Sequence, residues 1–531
     1  MAAVTLTNLR QFAGGAGRWC LDRLNPLFVR HLRQELRNRT YFTVFILLLV
    51  ISGLASLAFC AGLQEGRAVG DHLFGVLAAA LSFALWVAQP LGAYRAMGQE
   101  RDDDTWDLID LTGMRPGAIL RGKLANSLAQ GLLFTSAMAP FMLMAYLLRG
   151  IDLFSIVFWI AFIQFGGICL AAAGAFWGCL GPNKASRAGL GGLFFLACLV
   201  AWGMSCVLWF EELQRGRPIS QEFVRDPVEA WMAVVAGING GVLVVYLAIA
   251  FGSALLTFRA DNRSTGPRRA WVLTMVNGLA WFVFLYLFLF SHGSRDRYYL
   301  FASAAIGWMI ASFLLSFFTI AEDFDLSPRQ ARWLREGGWR RRLVAWAFGP
   351  GAARGRLLTL ALTASGWCLL FLPALILEPS TSRYVMKDLV MTQVVLFGLS
   401  GYFLFLFAVS DATLRRVAPF STAWSRRVVC LAVLVFFAFV PMIAGWLLAE
   451  PELLAPLSPL AAVLDAADAV DHARLSDWSG MIGVIGYWWP VFIGINILGA
   501  GILLIQALRQ WHPVIQRVQA TEADRNPRSG G

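Results

Sequence analysis

The pattern closest to a catalytic motif runs from Gly117 through Gly122 to Lys123. It has the glycines and the lysine of a P-loop, which cradles nucleotide phosphates with its backbone. The next residue is Leu124, where a P-loop needs Ser or Thr to bind Mg²⁺. The run also leads into an apolar segment and follows no buried strand, so we expect no nucleotide binding here.

The histidines form no catalytic or metal-binding pattern either. All five lie far apart in the sequence, at His31, His72, His292, His472 and His512. A zinc hydrolase would place two of them one helical turn apart around a glutamate, and a serine hydrolase would show a GxSxG run. Neither pattern is present, so we expect no enzymatic activity, no metal and no cofactor in this chain.

Composition shows which elements must position any functional residue. The chain has 531 residues, of which 58% are hydrophobic and 15% charged, and its mean hydropathy is +0.63. Soluble domains are about 45–50% apolar and about 25% charged. These values exclude a set of soluble domains and a disordered chain, and they predict an all-α polytopic membrane protein.

Twelve apolar segments are long enough to cross about 30 Å of hydrocarbon as helices. They cover residues 41–62, 73–93, 125–148, 153–181, 188–210, 231–258, 271–290, 299–320, 357–377, 389–409, 428–448 and 481–508. We therefore expect a leader at 1–40, six-helix halves at 41–258 and 259–508, and a tail at 509–531. The halves share a layout, with long inner segments at 98–123 and 321–356, which fits either a duplication or chance.

Charge predicts the orientation of these spans. With both termini in the cytoplasm, 34 of the 44 Lys and Arg residues fall on the inner side, as the positive-inside rule requires. The net charge of +11 then reflects topology, so we expect no nucleic acid partner. The expected location is the cytoplasmic (inner) membrane, with lipid as a partner.

No Asp, Glu, Lys, Arg or His lies in the middle of a predicted span. The polar groups there are amides, which either join helices by hydrogen bonds or line a substrate path. They are Gln89, Gln164, Asn239, Asn277, Gln393 and Asn496. We also expect a kink at Pro90, since proline cannot donate a helical hydrogen bond.

An amphipathic helix is predicted before the first span. Asn25 is a good N-cap and Pro26 suits the first helical position. One face is apolar and another is basic, which is typical of a helix lying in the inner headgroup layer. The residues that define it are Pro26, Phe28, Arg30, Leu32, Arg33 and Arg37. Such a helix is either a charge anchor or a lever that couples the membrane domain to a cytoplasmic partner.

A second short helix is predicted within the segment 98–123, with Asp104 or Thr105 as its N-cap. Trp106, Ile109 and Leu111 give it exposed apolar character, which indicates a docking element for another protein. This segment and the helix before it resemble the permease subunits of ABC-2 type transporters, over residues 20–260. The matching positions are Glu100, Thr105, Leu108, Ile109, Thr112, Ile119, Leu120, Gly122, Lys123 and Leu124. The chain departs from the family pattern in having Asp104 in place of a glycine and Thr112-Gly113 in place of Thr-Pro.

The resemblance implies an ATP-driven exporter, in which the chain is the membrane subunit. Its loop would seat in a separate ABC ATPase, itself a dimer that holds the ATP and Mg²⁺, with the N-terminal helix as a connecting helix. The ATPase-coupling residues would be Glu100, Thr105, Trp106, Leu108, Ile109, Leu111 and Lys123. The segment 321–356 is expected either to contact the second ATPase protomer or to lie on anionic lipid. We expect either a homodimer or a pseudo-dimer of the chain's own halves.

The alternative is an ion-coupled twelve-helix carrier of the major-facilitator type, which also has cytoplasmic termini. It would need an inner loop of the Gly-x-x-x-Asp-Arg/Lys type after its second span, and ionisable groups inside the membrane. The sequence shows neither.

Overall fold

The computed structural model describes eleven stretches of the chain and two isolated residues. These are residues 39–61, 70–102, 116–180, 184–214, 219–257, 264–288, 294–319, 351–376, 383–418, 423–447, 458, 462 and 488–523. Throughout them the regular structure is helical, with no strand. The chain divides into two compact units, Met1–Thr257 and Phe258–Gly531.

Unit 1 is built from helices that fall on the first six predicted spans. They are α1 (Arg39–Ala61), α2 (Gly70–Phe83), a π-helical turn (Ala84–Ala88), α3 (Gln89–Asp102), α4 (Pro116–Leu147), α5 (Leu153–Gly178), α6 (Lys184–Gln214), α7 (Ile219–Arg225) and α8 (Pro227–Leu256). The short helix α7 lies in a segment that the sequence analysis treated as loop.

Helix α5 lies at the centre of unit 1, in contact with α2, α3, α4, α6 and α8. It begins at the N-cap Asp152, whose side chain accepts a hydrogen bond from the Ser155 amide. Glycines let the backbone of α3 approach closely: a Cβ at Gly174 would overlap the Pro90 carbonyl oxygen, and one at Gly178 would lie 2.7 Å from the Tyr94 carbonyl oxygen. Small residues at such crossings are typical of membrane helix packing.

The predicted kink at Pro90 takes the form of the π-helical turn just before it. The Gln89 amide bonds to the Ala84 carbonyl oxygen, five residues back, in place of the usual four. Pro90 has no amide hydrogen and its ring crowds the preceding turn, so the helix widens there. Trp86, inside this turn, anchors it to α5 by donating to the Ile163 carbonyl oxygen at 2.9 Å.

Unit 2 contains α9 (Thr265–Phe288), α10 (Ser294–Thr319), α11 (Ala352–Ile376), α12 (Arg383–Val417), α13 (Ala423–Leu447) and α14 (Trp488–Ala523). Helix α12 packs against α10, α11, α13 and α14. Its crossing with α14 is close, because a Cβ at Gly499 would lie 2.7 Å from the Phe405 amide nitrogen. Buried aromatic side chains fill this core, among them Phe397, Phe407 and Phe492.

Eight helices in the described residues are long and apolar enough to span a membrane. Six lie in unit 1 and two in unit 2, at Val390–Val417 and Pro490–Arg509. Their lipid-facing surface is apolar, as the exposed Leu54, Leu57 and Leu147 illustrate. The chain is thus an all-α protein with multiple apolar helices, and the full set of twelve spans stays a prediction.

Candidate functional sites

A line of polar side chains runs along the buried face of α4. Lys123, Asn126, Ser127 and Gln130 follow the spacing of one helix face, and all four are buried. Gln89, from the end of the π-helical turn, is buried with them. We call these five residues the polar seam.

Two hydrogen bonds of the polar seam join α3 to α4. The Lys123 ammonium donates to the Ala96 carbonyl oxygen at 2.7 Å. One helical turn further into the unit, the Gln89 amide donates to the Ser127 carbonyl oxygen at 2.6 Å. The stems on either side of the segment 103–115 are therefore tied to each other at two levels.

Gln89 is only half satisfied. Its side-chain carbonyl oxygen is buried and has no hydrogen-bond partner among the residues that the structure describes. An unpaired buried acceptor costs roughly 1–3 kcal/mol, and it lies next to the π-helical turn, a feature often found at functional sites. The polar seam therefore holds one acceptor that a polar solute or a changed helix arrangement would satisfy.

Gln164 extends the polar surface onto α5. Its side-chain oxygen accepts a hydrogen bond from the Thr135 hydroxyl of α4 at 3.1 Å. Gly131 makes room for it, because a Cβ there would lie 2.5 Å from the Gln164 amide nitrogen. Gln164 thus joins α4 to α5, whereas Gln89 joins α3 to α4.

The second polar site lies in unit 2 and is ionic. Asp411 of α12 and Arg356 of α11 are completely buried and form a close salt bridge. Arg415, one turn along α12, donates from its Nε to both Asp411 oxygens at 3.1 and 2.9 Å. Arg426 of α13 is 3% exposed and lies near enough to interact electrostatically with Arg356. These four residues form the ion cluster.

Two further arginines of the same unit lie outside the ion cluster, Arg268 buried and Arg427 half-buried. Arg268 at the start of α9 donates to the Gly351 carbonyl oxygen at 3.0 Å. Arg427 donates to the Phe318 carbonyl oxygen at 2.7 Å, and its guanidinium lies 5.6 Å from the centre of the Phe318 ring. One guanidinium group thus connects the start of α9 to the residue before α11, and the other connects the start of α13 to the end of α10.

Burial lowers the pKa of two arginines of α11, Arg354 and Arg356, both of which precede the predicted span 357–377. Desolvation lowers the pKa of Arg354 to about 10, and the positive charge of Arg268 lowers it further. Desolvation also lowers the pKa of Arg356 to about 10, against the raising effect of Asp411. Both guanidinium groups stay charged at neutral pH, so Asp411 has a cationic partner there.

In unit 2, two of the amides that were predicted to line a substrate path or join helices form hydrogen bonds between helices. The Asn496 amide of α14 donates to the Phe397 carbonyl oxygen at 2.9 Å, and its oxygen accepts from Ser400 at 3.2 Å. Gln393 donates to the Leu370 carbonyl oxygen at 3.2 Å. Asn239 in unit 1 and Asn277 in unit 2 are half-buried.

Most of the predicted coupling residues lie outside the described residues. This applies to Thr105, Trp106, Leu108, Ile109 and Leu111, and to the connecting helix with Pro26, Phe28, Arg30, Leu32, Arg33 and Arg37. Glu100 belongs to the last turn of α3. Lys123 is buried and uses its ammonium inside unit 1, and its contact with an ATPase stays a prediction.

The P-loop-like run from Gly117 to Lys123 is helical, within α4. Its amides from Leu120 onward therefore enter hydrogen bonds within the helix, whereas a P-loop directs its amides at phosphate.

Sequence reasoning missed two groups of residues. It did not single out Asn126 and Gln130 in the third predicted span, although their spacing from Lys123 would have indicated one polar face. It also ended the tenth span at residue 409, whereas the apolar helix continues to Val417 and includes Asp411.

The fold and the two polar sites define a class, an all-α membrane-embedded protein of the multi-pass type. Comparisons of the chain with protein-family models, with curated proteins and with solved structures gave no match.

Proposed function

We propose that the chain is the membrane subunit of an ATP-driven transporter of the ABC-2 type, working as an exporter with a separate ATPase. The observation that supports this most directly is the joining of α3 to α4 by the polar seam. These helices are the stems of the segment that resembles the family's coupling loop. Because two buried hydrogen bonds tie the stems together, a force on that loop would move both helices as one body.

The movement would pass from the stems to the rest of unit 1 through α5. Helix α3 lies against the glycines of α5. Because little side-chain bulk separates the two backbones there, a displacement of α3 would be transmitted to α5. The π-helical turn before Pro90 separates α2 from α3, so α3 has a joint at which to change its angle. Rearrangement at this joint would expose or cover the unpaired oxygen of Gln89.

The chemical energy in this proposal comes from the partner. ATP and Mg²⁺ bind to the ATPase dimer, and closure of that dimer would press on residues 105–111 and on the N-terminal helix. Helices α3 and α4 would then couple nucleotide binding by the ATPase to alternating access of the membrane subunit. The substrate would meet the amides of the polar seam, which offer hydrogen bonds without charge.

The test is co-purification of the full chain with candidate ABC ATPases from the same genome. A variant with Asp102→Lys, Asp103→Lys, Asp104→Lys and Leu108→Asp should lose the ATPase and its stimulation by the membrane subunit. The matched control is Asp226→Lys with Val228→Asp, an exposed acidic and apolar pair at the start of α8. The proposal fails if no ATPase binds, or if the loop variant retains binding equal to that of the control.

The ion cluster supports a second candidate, an ion-coupled secondary transporter. Asp411 is completely buried within an apolar helix, and ionisable residues in such helices often carry protons. Purified protein alone in liposomes with an imposed pH gradient should then dissipate the gradient when a transported solute is added. Asp411→Asn should abolish that response. A pH gradient that is indifferent to every solute tested and to Asp411→Asn would exclude this candidate.

A further inference from the structure

A groove lies between α3 and α6 in unit 1, away from the polar seam. Its volume is about 530 Å³, within the range of roughly 300–1,000 Å³ that small-molecule sites occupy. Leu91, Tyr94, Arg95, Gly98 and Gln99 line one wall, with the spacing of a single helix face. The other wall is one face of α6, formed by Lys184, Arg187, Ala188, Gly191, Gly192 and Phe195.

The groove is positively charged at one end and apolar at the other. Arg95, Lys184 and Arg187 lie toward the end where α3 finishes and α6 begins, and no acidic residue is among the lining residues that the structure describes. The N-terminus of α6 adds the partial positive charge of its helix dipole at that end. Leu91 and Phe195 lie at the other end.

The apolar end opens toward lipid. Phe195 is 42% exposed, and its neighbours Leu193 and Leu196 are more exposed still. These side chains belong to a helix that is apolar enough to span the membrane. An acyl chain can therefore leave the groove along α6 without meeting a polar surface.

The wall between these ends is rigid. The Tyr94 hydroxyl donates to the Arg187 backbone carbonyl oxygen, which ties α3 to α6. The Tyr94 ring stacks on Phe194 with centroids 6.0 Å apart, and Phe194 stacks on Trp177 at 5.9 Å. Backbone and ring contacts thus hold the wall of the groove.

We infer that this groove binds one anionic phospholipid, with the phosphate of the headgroup at Arg95, Lys184 and Arg187 and an acyl chain along Leu91 and Phe195. The three cationic side chains suit a phosphate group, and the apolar end of the groove suits a lipid tail. Under the predicted topology the bound lipid belongs to the cytoplasmic leaflet, the side on which anionic headgroups attract basic residues. This inference does not depend on the transport function proposed above.

The experiment measures lipid retained by the full chain, purified in mild detergent and titrated with dioleoyl phosphatidylglycerol, by native mass spectrometry. We expect one lipid to bind ahead of the others, and dioleoyl phosphatidylcholine, with the same tails, to bind more weakly. Arg95→Gln, Lys184→Gln and Arg187→Gln should each weaken binding about fivefold. Arg121→Gln removes an exposed charge of unit 1 outside the groove and should change nothing.

A steric pair of variants tests the cavity itself. A Cβ at Gly192 or at Gly189 meets no atom within 4 Å, so both positions accept a larger side chain, but only Gly192 lines the groove. Gly192→Leu should reduce phosphatidylglycerol binding at least as much as the loss of one cation, whereas Gly189→Leu should leave it unchanged.

Competition separates a lipid site from a simple anion site. Millimolar inorganic phosphate or glycerol phosphate should displace little of the lipid, because neither has a tail to fill the apolar end. Equal displacement by either anion would overturn the inference in favour of an anion site. Equal losses in the groove variants and in Arg121→Gln or Gly189→Leu would show that the lipid binds to net charge or to helix surface alone.

Discussion

The two units bury polar groups in different ways. In unit 1 the polar seam consists of three neutral amides, a hydroxyl and a single lysine, and Gln89 and Lys123 donate to backbone carbonyl oxygens. In unit 2 a carboxylate is held between arginines from two helices, with no exposure to solvent. Hydrogen bonds between amides in membranes are worth about 0.6–2 kcal/mol, whereas breaking a buried ion pair costs about 3–5 kcal/mol.

This difference separates a region that can rearrange from one that resists rearrangement. Helices joined by single amide bonds can exchange partners at small cost. Moving α11 away from α12 would leave Asp411 and Arg356 as uncompensated charges. We therefore expect unit 1 to carry the larger conformational change and unit 2 to be the stiffer body.

The largest effect should come from the ion cluster. Asp411→Leu leaves the buried Arg356 without its carboxylate, so unfolding should become easier by about 3–5 kcal/mol. The double variant Arg356→Met with Asp411→Leu should recover a large part of that loss, because it removes both charges. Unfolding in detergent, followed by tryptophan fluorescence, measures the change.

The control for this series is Thr413→Ala. Thr413 is an exposed residue on the same helix, and its hydroxyl donates to the Val409 carbonyl oxygen one turn before it. If Asp411→Leu is no more destabilising than Thr413→Ala, then the ion cluster does not stiffen unit 2 and the comparison between the units collapses.

Substitution of a glycine of α5 should give the next largest loss of stability. Gly174→Ala places a Cβ on the Pro90 carbonyl oxygen, so α3 must move away, and such overpacking costs about 1–3 kcal/mol. Gly189→Ala has open space around it and serves as the control in the same unfolding assay. Equal stability of the two variants would mean that α3 is not held closely by α5.

The loss of a buried amide side chain should cost more stability in unit 2 than in unit 1. Asn496→Leu removes three hydrogen bonds, to Phe397, Phe492 and Ser400, whereas Gln89→Leu removes one and also relieves an unpaired oxygen. We expect Asn496→Leu to cost about 2 kcal/mol and Gln89→Leu about 1 kcal/mol or less, at the 0.6–2 kcal/mol scale of such bonds. A larger loss of stability for Gln89→Leu would show that unit 1 is the more tightly bonded of the two.

The smallest effect should come from a helix end. Asp152→Ala removes the N-cap of α5 and its bond to the Ser155 amide, which should cost about 1 kcal/mol. Asp152→Asn keeps an acceptor there and should behave nearly as the native chain does in thermal unfolding. A loss as large as that of Gly174→Ala would indicate that α5 depends on its cap more than on its packing.

Local properties of the sequence predicted much of the fold. The helices of unit 1 begin and end within a few residues of most of the predicted spans; α5, for example, starts at Leu153, where the span 153–181 was placed. The predicted kink at Pro90 appears as a π-helical turn. Hydropathy summed over about 20 residues, together with proline and capping residues, is enough for such predictions because each depends only on neighbours in the chain.

The candidate sites were harder to predict from the sequence. Gln89 and Gln164 were identified because an amide stands out in an apolar span. Asn126 and Gln130 were overlooked near the polar end of theirs, where such residues are unremarkable. The partners of Asp411 were not predictable at all, because Arg356 lies 55 positions away in the sequence and nothing in the local composition links the two.

By itself, therefore, the sequence determined that this is a helical, membrane-embedded chain, where its apolar helices run, and at which of their ends the charges gather. Only the tertiary structure decided which polar groups meet: the tie between α3 and α4, the salt bridge between α11 and α12, and the cationic groove between α3 and α6. The physical reason is that transfer of a segment from water to lipid depends on its own side chains, whereas a hydrogen bond or a salt bridge depends on which two helices cross.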